Sequence, residues 1–81
     1  MTSTNELLMT KVNAAFRTAF ELDSSADLTG LEYNVSKEWD SVAHMALVAA
    51  LEQEFDCMLE MDEIIDMSSY TKVLEIMQKY A

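Results

Sequence analysis

The sequence predicts an all-α fold: a small four-helix bundle with a long first loop and a short third helix. Apolar residues recur at helical spacing in separate stretches of the chain. One glycine and no proline favour helices joined by loops over a set of short strands. The 81 residues are 51% hydrophobic, too many for a disordered acidic chain, and their number predicts a single domain over residues 1–81.

The first helix is expected to begin near Ser3, because Ser3 and Glu6 stand at the spacing of a capping box. Apolar residues then follow the spacing i, i+4, i+7, i+8 and i+11, which places them on one helical face. The members of this face are Leu8, Val12, Ala15, Phe16 and Ala19. The helix is expected to end at Phe20 or Glu21.

A long loop is predicted over residues 22–40, which hold turn-forming residues and the glycine but no sustained period. A short helical turn within residues 26–31 is compatible with the sequence. Long loops in small domains are usually functional or packed down by their own side chains. We expect this one to be packed down by Leu28, Leu31, Tyr33 and Val35.

The second helix is predicted to begin at Asp40 or Ser41 and to run to about Phe55. At about 100° per residue, one stripe matches a core-facing pattern; its members are His44, Leu47, Val48, Leu51 and Phe55. The opposite side carries Val42, Met45, Ala46 and Ala49. A domain this small cannot bury both sides, so we expect an exposed apolar patch rimmed by acids, as in protein docking sites. The alternative is that the long loop folds over it.

Two shorter helices are predicted in the last third of the chain. The third runs from Asp62 to Met67, with Asp62 as its cap. Ser68 or Ser69 caps the last helix, whose apolar residues are Tyr70, Val73, Leu74 and Met77. Methionine fills irregular gaps in cores, and we expect that role for most of Met9, Met45, Met58, Met61, Met67 and Met77.

The charge of the chain restricts its partners. Fifteen acidic residues against five basic ones give a net charge of −10, which disfavours nucleic acid and favours partners with basic surfaces. The single cysteine, Cys57, permits no internal disulfide, and a cytoplasmic protein is the natural expectation. No segment has the pattern of a signal peptide or a membrane span. A monomer without membrane insertion is expected.

Ser41 lies where the apolar patch begins. A serine in the first residues of a helix commonly caps it. The same position suits a phosphate group attached to the serine, because free backbone N–H groups and the positive end of the helix dipole stabilise a negative charge. Both interpretations fit the residues alone.

The segments "DSV" at residues 40–42 and "ALEQEFD" at residues 50–56 resemble the acyl carrier protein family. That family has Asp-Ser-Leu followed by an apolar helix ending in Leu-Glu-x-Glu-Phe, and the likeness covers nearly the whole chain. It implies that the Asp40–Ser41 pair is the attachment site and that Ser41 is esterified by 4′-phosphopantetheine. A phosphopantetheinyl transferase would supply this arm from coenzyme A. The arm would carry acyl thioesters, and the protein itself would not be an enzyme.

The resemblance also implies that the second helix is what acyl ligases, synthases and acyltransferases of fatty-acid and lipid biosynthesis recognise. The expected partner-binding residues are Trp39, Val42, Met45, Ala46, Ala49 and Glu52. Ala43 and Ala46 stand where fatty-acid carriers usually place acids, so recognition should depend more on shape and apolar contact than on charge. Trp39 and the following "VAHM" resemble specialised carriers, of a lipid, polyketide or glycoconjugate pathway.

Other interpretations remain beside the carrier. An unmodified helical adaptor would use the same apolar patch and tolerate alanine at position 41, and a peptidyl or aminoacyl carrier would share the modified serine. A Ser41–His44 hydrolase would need a walled cleft, for which a bundle this small offers little room. We expect instead that His44 fills the top of the core stripe and hydrogen-bonds to the loop. No metal site is expected: residues 27–38 have the length of a calcium loop, but Glu32 stands where the glycine is required.

Overall fold

A computed structural model describes residues 4–80 and shows an all-α protein. Its elements are α1 (Thr4–Phe20), α2 (Ser41–Phe55), α3 (Met61–Asp66), α4 (Tyr70–Met77) and a 3-10 turn at Gln78–Tyr80. These residues form no β-strand, although an isolated antiparallel bridge joins Glu32 to Ser69. The prediction of an all-α fold is confirmed. No helix in the described range is long and apolar enough to cross a membrane.

Helix α1 places its predicted apolar face in the core. Leu8, Val12, Ala15 and Phe16 are buried, and Ala19 is partly buried against them. The helix ends at Phe20, within the predicted boundary. The capping box expected at Ser3 lies outside the described residues.

Helix α2 packs extensively against α1 and buries the stripe that its periodicity predicts. The buried residues of the helix are His44, Leu47, Val48, Leu51 and Phe55. The helix ends at Phe55, and Asp56 follows it with φ of 50° and ψ of 53° in the left-handed region, which Asp tolerates better than most residues. The backbone N–H of Asp56 donates to the carbonyl of Glu52.

Helices α3 and α4 are both present, but α3 begins earlier than predicted. Glu60, not Asp62, precedes its first residue, and the backbone N–H of Glu60 donates to the Glu63 side chain at 2.8 Å. In α4 the Ser69 hydroxyl accepts from the backbone N–H of Lys72 at 3.1 Å, which confirms a serine cap. The buried side of α4 consists of Tyr70, Val73 and Met77, with Leu74 half-buried.

Methionine contributes less to the core than the sequence suggested. Met67 and Met77 are fully buried. The other methionines of the predicted core group are exposed: Met9, Met45, Met58 and Met61. The core is filled instead by aliphatic side chains and by an aromatic cluster around Trp39 and Phe16. The prediction that most methionines are core filler is therefore wrong.

Residues 21–40 form the predicted loop, as turns without a helical segment at residues 26–31. Leu28 and Leu31 are buried as expected, and Tyr33 is half-buried. Val35 is 76% exposed, so it does not pack the loop down. Part of that role belongs to Arg17, whose guanidinium donates to the carbonyls of Asp23 and Ala26 at 3.1 and 3.2 Å.

The end of the loop is joined to the start of α4 through the backbone. The N–H of Tyr33 donates to the carbonyl of Ser68 at 2.9 Å, and the N–H of Tyr70 donates to that of Leu31 at 3.0 Å. These bonds hold residues 31–33 in the second half of the loop against the segment that begins α4. They fix the position from which Tyr33 reaches toward Ser41.

Candidate functional site

Ser41 is the first residue of α2, and its hydroxyl is not used to cap the helix. The residue before it, Asp40, is the N-cap: its Oδ1 accepts from the backbone N–H of Ala43 at 2.8 Å. Its carbonyl also accepts from the N–H of His44 at 2.9 Å. Ser41 is exposed. A serine at a helix start whose capping role is taken by its neighbour has a hydroxyl available for chemistry.

The apolar patch predicted next to Ser41 is exposed. Val42 is 80% exposed and Met45 is 57% exposed. Ala46 and Ala49 are exposed as well. The long loop does not cover these residues, so the alternative in which it folds over them is wrong.

Glu52 lies at the far end of this patch and has a structural partner. Its Oε2 accepts from the backbone N–H of Leu59 at 2.9 Å, across the turn that follows α2. The side chain is half-buried. Glu52 therefore fixes the chain between α2 and α3, and only its remaining surface is open to a partner.

A shallow groove of about 660 Å³ runs between the end of α1 and the outer side of α2. Its walls hold Ala19 from α1 and Ala46, Ala49 and Ala50 from α2, with polar residues at the margins: Thr18, Glu21, Glu52 and Gln53. The groove shares Ala46, Ala49 and Glu52 with the patch. The apolar surface on α2 thus continues toward α1.

Trp39 was expected at the partner surface, and the structure corrects this. Its side chain is 0% exposed. The indole meets Phe16 edge-on at a centroid distance of 5.2 Å and Phe20 at 5.6 Å. A residue enclosed by these rings cannot touch a docking protein, so Trp39 holds the start of α2 on the core.

His44 is bonded through both ring nitrogens. The indole N–H of Trp39 donates to its Nδ1 at 2.9 Å, so Nε2 carries the proton and donates to the carbonyl of Ile64 at 2.8 Å. The predicted hydrogen bond to the loop is confirmed, because Trp39 is a loop residue. With both nitrogens bonded inside the fold, His44 is not available to take a proton from Ser41, which argues against the hydrolase interpretation.

A second cavity, of about 350 Å³, opens between the loop and α3. It is lined by Tyr33, His44, Ile64, Ile65, Met67 and Ser68. Tyr33 connects this cavity to Ser41, since its hydroxyl oxygen lies 3.4 Å from Ser41 Oγ. Sequence reasoning missed this pairing, because nothing in the spacing of a loop residue shows that its hydroxyl reaches a particular serine.

The buried acid of α3, Glu63, is used within the fold. Glu63 forms an ion pair with Lys79 through Oε2 and accepts from the Tyr80 hydroxyl at 2.6 Å through Oε1. The Lys79 contact, followed by the bonds from Tyr80 and the Glu60 backbone, lowers the pKa of Glu63 to about 2. Among residues 4–80, no group of His, Cys, Asp or Glu is placed to hold a metal ion.

Cys57 lies half-buried in the turn after α2. Burial, and then the negative charges of Glu52, Glu63 and Asp56, raise the pKa of its thiol. A thiol in such surroundings is a poor nucleophile at neutral pH. It is therefore not a candidate for the chemistry of the site.

The site thus consists of an exposed serine hydroxyl, a capping aspartate, an apolar patch on the next turns of α2 and a tyrosine hydroxyl beside the serine. No family model, no curated protein and no solved structure matches this chain.

Proposed function

We propose that this protein is a carrier of acyl groups, with 4′-phosphopantetheine attached to Ser41. The observation that carries the proposal is that Asp40 and Ser41 have different roles at the start of α2. Asp40 supplies the helix cap, while the Ser41 hydroxyl is exposed and free of a structural role. The "DSV" and "ALEQEFD" segments add their resemblance to the acyl carrier proteins. We propose for the helices the four-helix bundle arrangement of that family.

Attachment would be a phosphoryl transfer from coenzyme A. Ser41 Oγ forms a bond to the phosphorus that bears the pantetheine, and the bond from this phosphorus to the oxygen bridging to the adenosine bisphosphate breaks. Adenosine 3′,5′-bisphosphate leaves, and the hydroxyl proton passes to a base of the transferase. Inside this chain His44 cannot serve as that base, because both its nitrogens are bonded. The transferase must therefore supply it.

The patch of Val42, Met45, Ala46 and Ala49 would be the surface that the transferase and later enzymes contact. An exposed apolar surface beside charged residues is typical of docking sites. The absence of acids at Ala43 and Ala46 makes apolar contact the main source of affinity there. Acyl ligases, synthases or acyltransferases of a specialised lipid, polyketide or glycoconjugate pathway are the proposed partners.

The cavity lined by Tyr33, Ile64, Ile65 and Met67 supports an acyl cargo over a polar one. Its surface is mostly apolar, and it lies on the side of α2 where the Tyr33 hydroxyl approaches Ser41. An apolar acyl chain that enters this cavity moves out of water and needs no hydrogen bonds there. A peptidyl or aminoacyl cargo would gain less from this apolar lining.

The proposal is tested by the intact mass of the protein after incubation with coenzyme A and a broad-specificity phosphopantetheinyl transferase. The expected result is a gain of one phosphopantetheine on the wild type and none on Ser41→Ala. Ser68→Ala is a matched control, because it removes another exposed hydroxyl beside the cavity and should be modified normally. A folded wild type left unmodified by several transferases would overturn the proposal.

A second candidate is an unmodified adaptor that binds a partner helix. The groove between α1 and α2 favours it, since an alanine-lined channel with Glu21 and Glu52 at its margins fits a helix with basic flanks. An adaptor would bind its partner equally well as wild type and as Ser41→Ala. Failure of the mass experiment would make this the leading function.

A further inference from the structure

Tyr33 and Ser41 bring two hydroxyl groups together at the candidate site. Their oxygens are 3.4 Å apart, whereas hydroxyl hydrogen bonds are usually about 2.7–2.8 Å long. The contact in the unmodified protein is therefore weak. It leaves the tyrosine O–H in position for a better acceptor placed slightly further out from the serine oxygen.

The rest of Tyr33 is held firmly. Its backbone N–H donates to the carbonyl of Ser68 at 2.9 Å. Its ring meets the His44 ring edge-on, with centroids 4.8 Å apart, and lies 6.4 Å from the Trp39 ring. Since Trp39 and His44 are buried and bonded to each other, the tyrosine hydroxyl points toward Ser41 from a fixed base.

Few positive charges are available for a phosphate at this position. Of the five basic residues, Arg17 binds loop carbonyls and Lys11 lies over the Phe55 ring. Lys72 and Lys79 contact acidic side chains. Among the contacts of residues 4–80, this leaves Lys37, in the same loop, as the basic residue without such a partner. Besides the backbone N–H groups at the start of α2, the Tyr33 hydroxyl is therefore the side-chain donor that lies beside Ser41 and can bind a phosphate oxygen.

We propose that Tyr33 is a positioning residue for the modified serine. Its O–H donates to a non-bridging oxygen of the phosphodiester that links Ser41 to the arm. This inference rests on the proposed function, because it requires the phosphodiester to be present. The bond holds the beginning of the arm at the mouth of the cavity between the loop and α3, and hydrogen bonds to a charged acceptor are stronger than those between neutral groups.

The test compares modified and unmodified forms of the wild type, Tyr33→Phe, Tyr70→Phe and Lys37→Gln. Intact mass first establishes the loading of each, and circular dichroism establishes that each is folded. Modification should raise the melting temperature of the wild type by about 4 °C more than that of Tyr33→Phe. The ³¹P resonance of the arm should also differ between these two proteins.

Tyr70→Phe is the matched control, because its hydroxyl bonds to Asn13 at 2.6 Å within the fold. Tyr70→Phe should lower the melting temperatures of the unmodified and modified forms equally, so that the rise on modification is kept. Lys37→Gln should keep that rise as well. If every protein is loaded but wild type and Tyr33→Phe respond identically, the role of Tyr33 is overturned while the carrier function stands. If Lys37→Gln removes the effect instead, the lysine is the anchor. If the wild type is never loaded, both proposals fail.

Discussion

The indole N–H of Trp39 donates to Nδ1 of His44 over 2.9 Å, and the planes of the two rings are inclined by only 23°. This bond joins the last residues of the loop to the first turn of α2. Through Nε2 the same histidine reaches the carbonyl of Ile64 in α3. One donor–acceptor chain thus ties the loop, α2 and α3 together behind Ser41.

Replacing Trp39 by Phe should destabilise the protein by about 2–4 kcal/mol. The variant leaves a cavity beside Phe16 and an unpaired Nδ1 on His44, and both changes have a cost. Urea unfolding followed by far-ultraviolet circular dichroism measures it. The double variant with His44→Phe should cost less than the sum of the single changes. Strict additivity would contradict the coupling between the two rings.

Asp40→Ala should cost about 0.5–2 kcal/mol, because it removes the cap of α2. Ser41→Ala should change the free energy of unfolding by less than about 0.5 kcal/mol, since its hydroxyl is exposed and caps nothing. Chemical denaturation of the two variants compares them directly. A larger loss for Ser41→Ala than for Asp40→Ala would mean that the serine has a structural role.

Glu63→Gln should lower stability at neutral pH and should matter less as the pH falls below about 4.5. The folded protein lowers the pKa of Glu63 from 4.5 to about 2, so this stabilisation is present above about pH 4.5 and is lost as the pH falls toward 2. We expect Glu63→Gln to lower the free energy of unfolding by about 1–2 kcal/mol at neutral pH. This is less than the full pKa shift implies, because Lys79 is 59% exposed and water screens the ion pair.

Urea midpoints at about pH 7 and about pH 3 measure this dependence on Glu63. Glu75→Gln is the control, because Glu75 faces Lys72 at 3.9 Å on the surface. Surface ion pairs contribute little, so its effect should be small at both pH values. A difference between wild type and Glu63→Gln that does not shrink in acid would contradict the assignment.

Cys57 should react several-fold more slowly with a disulfide reagent in the folded protein than in urea. Burial and the neighbouring carboxylates raise the pKa of this thiol, and the thiolate is the reacting form. Stopped-flow absorbance with an aromatic disulfide gives both rates. After loading of Ser41, the thiol of the arm should add a fast phase. Equal rates in the folded and unfolded protein would show that Cys57 is accessible.

Met45→Glu should slow the transferase by about tenfold or more without destabilising the fold. Loss of an apolar anchor in a docking surface typically costs more than about 1 kcal/mol of binding, while an exposed substitution changes stability by less than about 0.5 kcal/mol. Initial rates of loading measure the effect. Leu7→Glu is the matched control, since Leu7 is 47% exposed on α1. Equal rates for the two variants would remove Met45 from the docking surface.

Periodicity predicted the helices and the buried stripe of α2, because a 3.6-residue repeat directly encodes which side of a helix faces the core. It could not choose between adjacent capping residues. Asp40 and Ser41 are both good capping residues, and the extended backbone angles at Asp40 show that the aspartate is the N-cap. At α3 the sequence favoured Asp62, yet Glu60 precedes the helix, because the Glu63 side chain reaches back to its N–H.

Burial of loop residues depended on tertiary contacts that no local pattern reveals. Trp39 was expected at the partner surface from the family resemblance, but Phe16 and Phe20 of α1 enclose it. Val35 was expected to be buried because it is apolar, but it lies on the outer side of a turn. Tyr33 is held near Ser41 by the hydrogen bond that its backbone N–H donates to the carbonyl of Ser68, which is distant in sequence.

The distribution of methionine has a consequence for oxidation. Oxidation converts the apolar thioether into a polar sulfoxide. Met67 and Met77 are shielded by the core, whereas Met45 is open to solvent within the patch on α2. A mild peroxide would therefore make that patch polar while the helices stay packed. For the docking role proposed for this patch, such stress would weaken partner binding before it unfolds the protein.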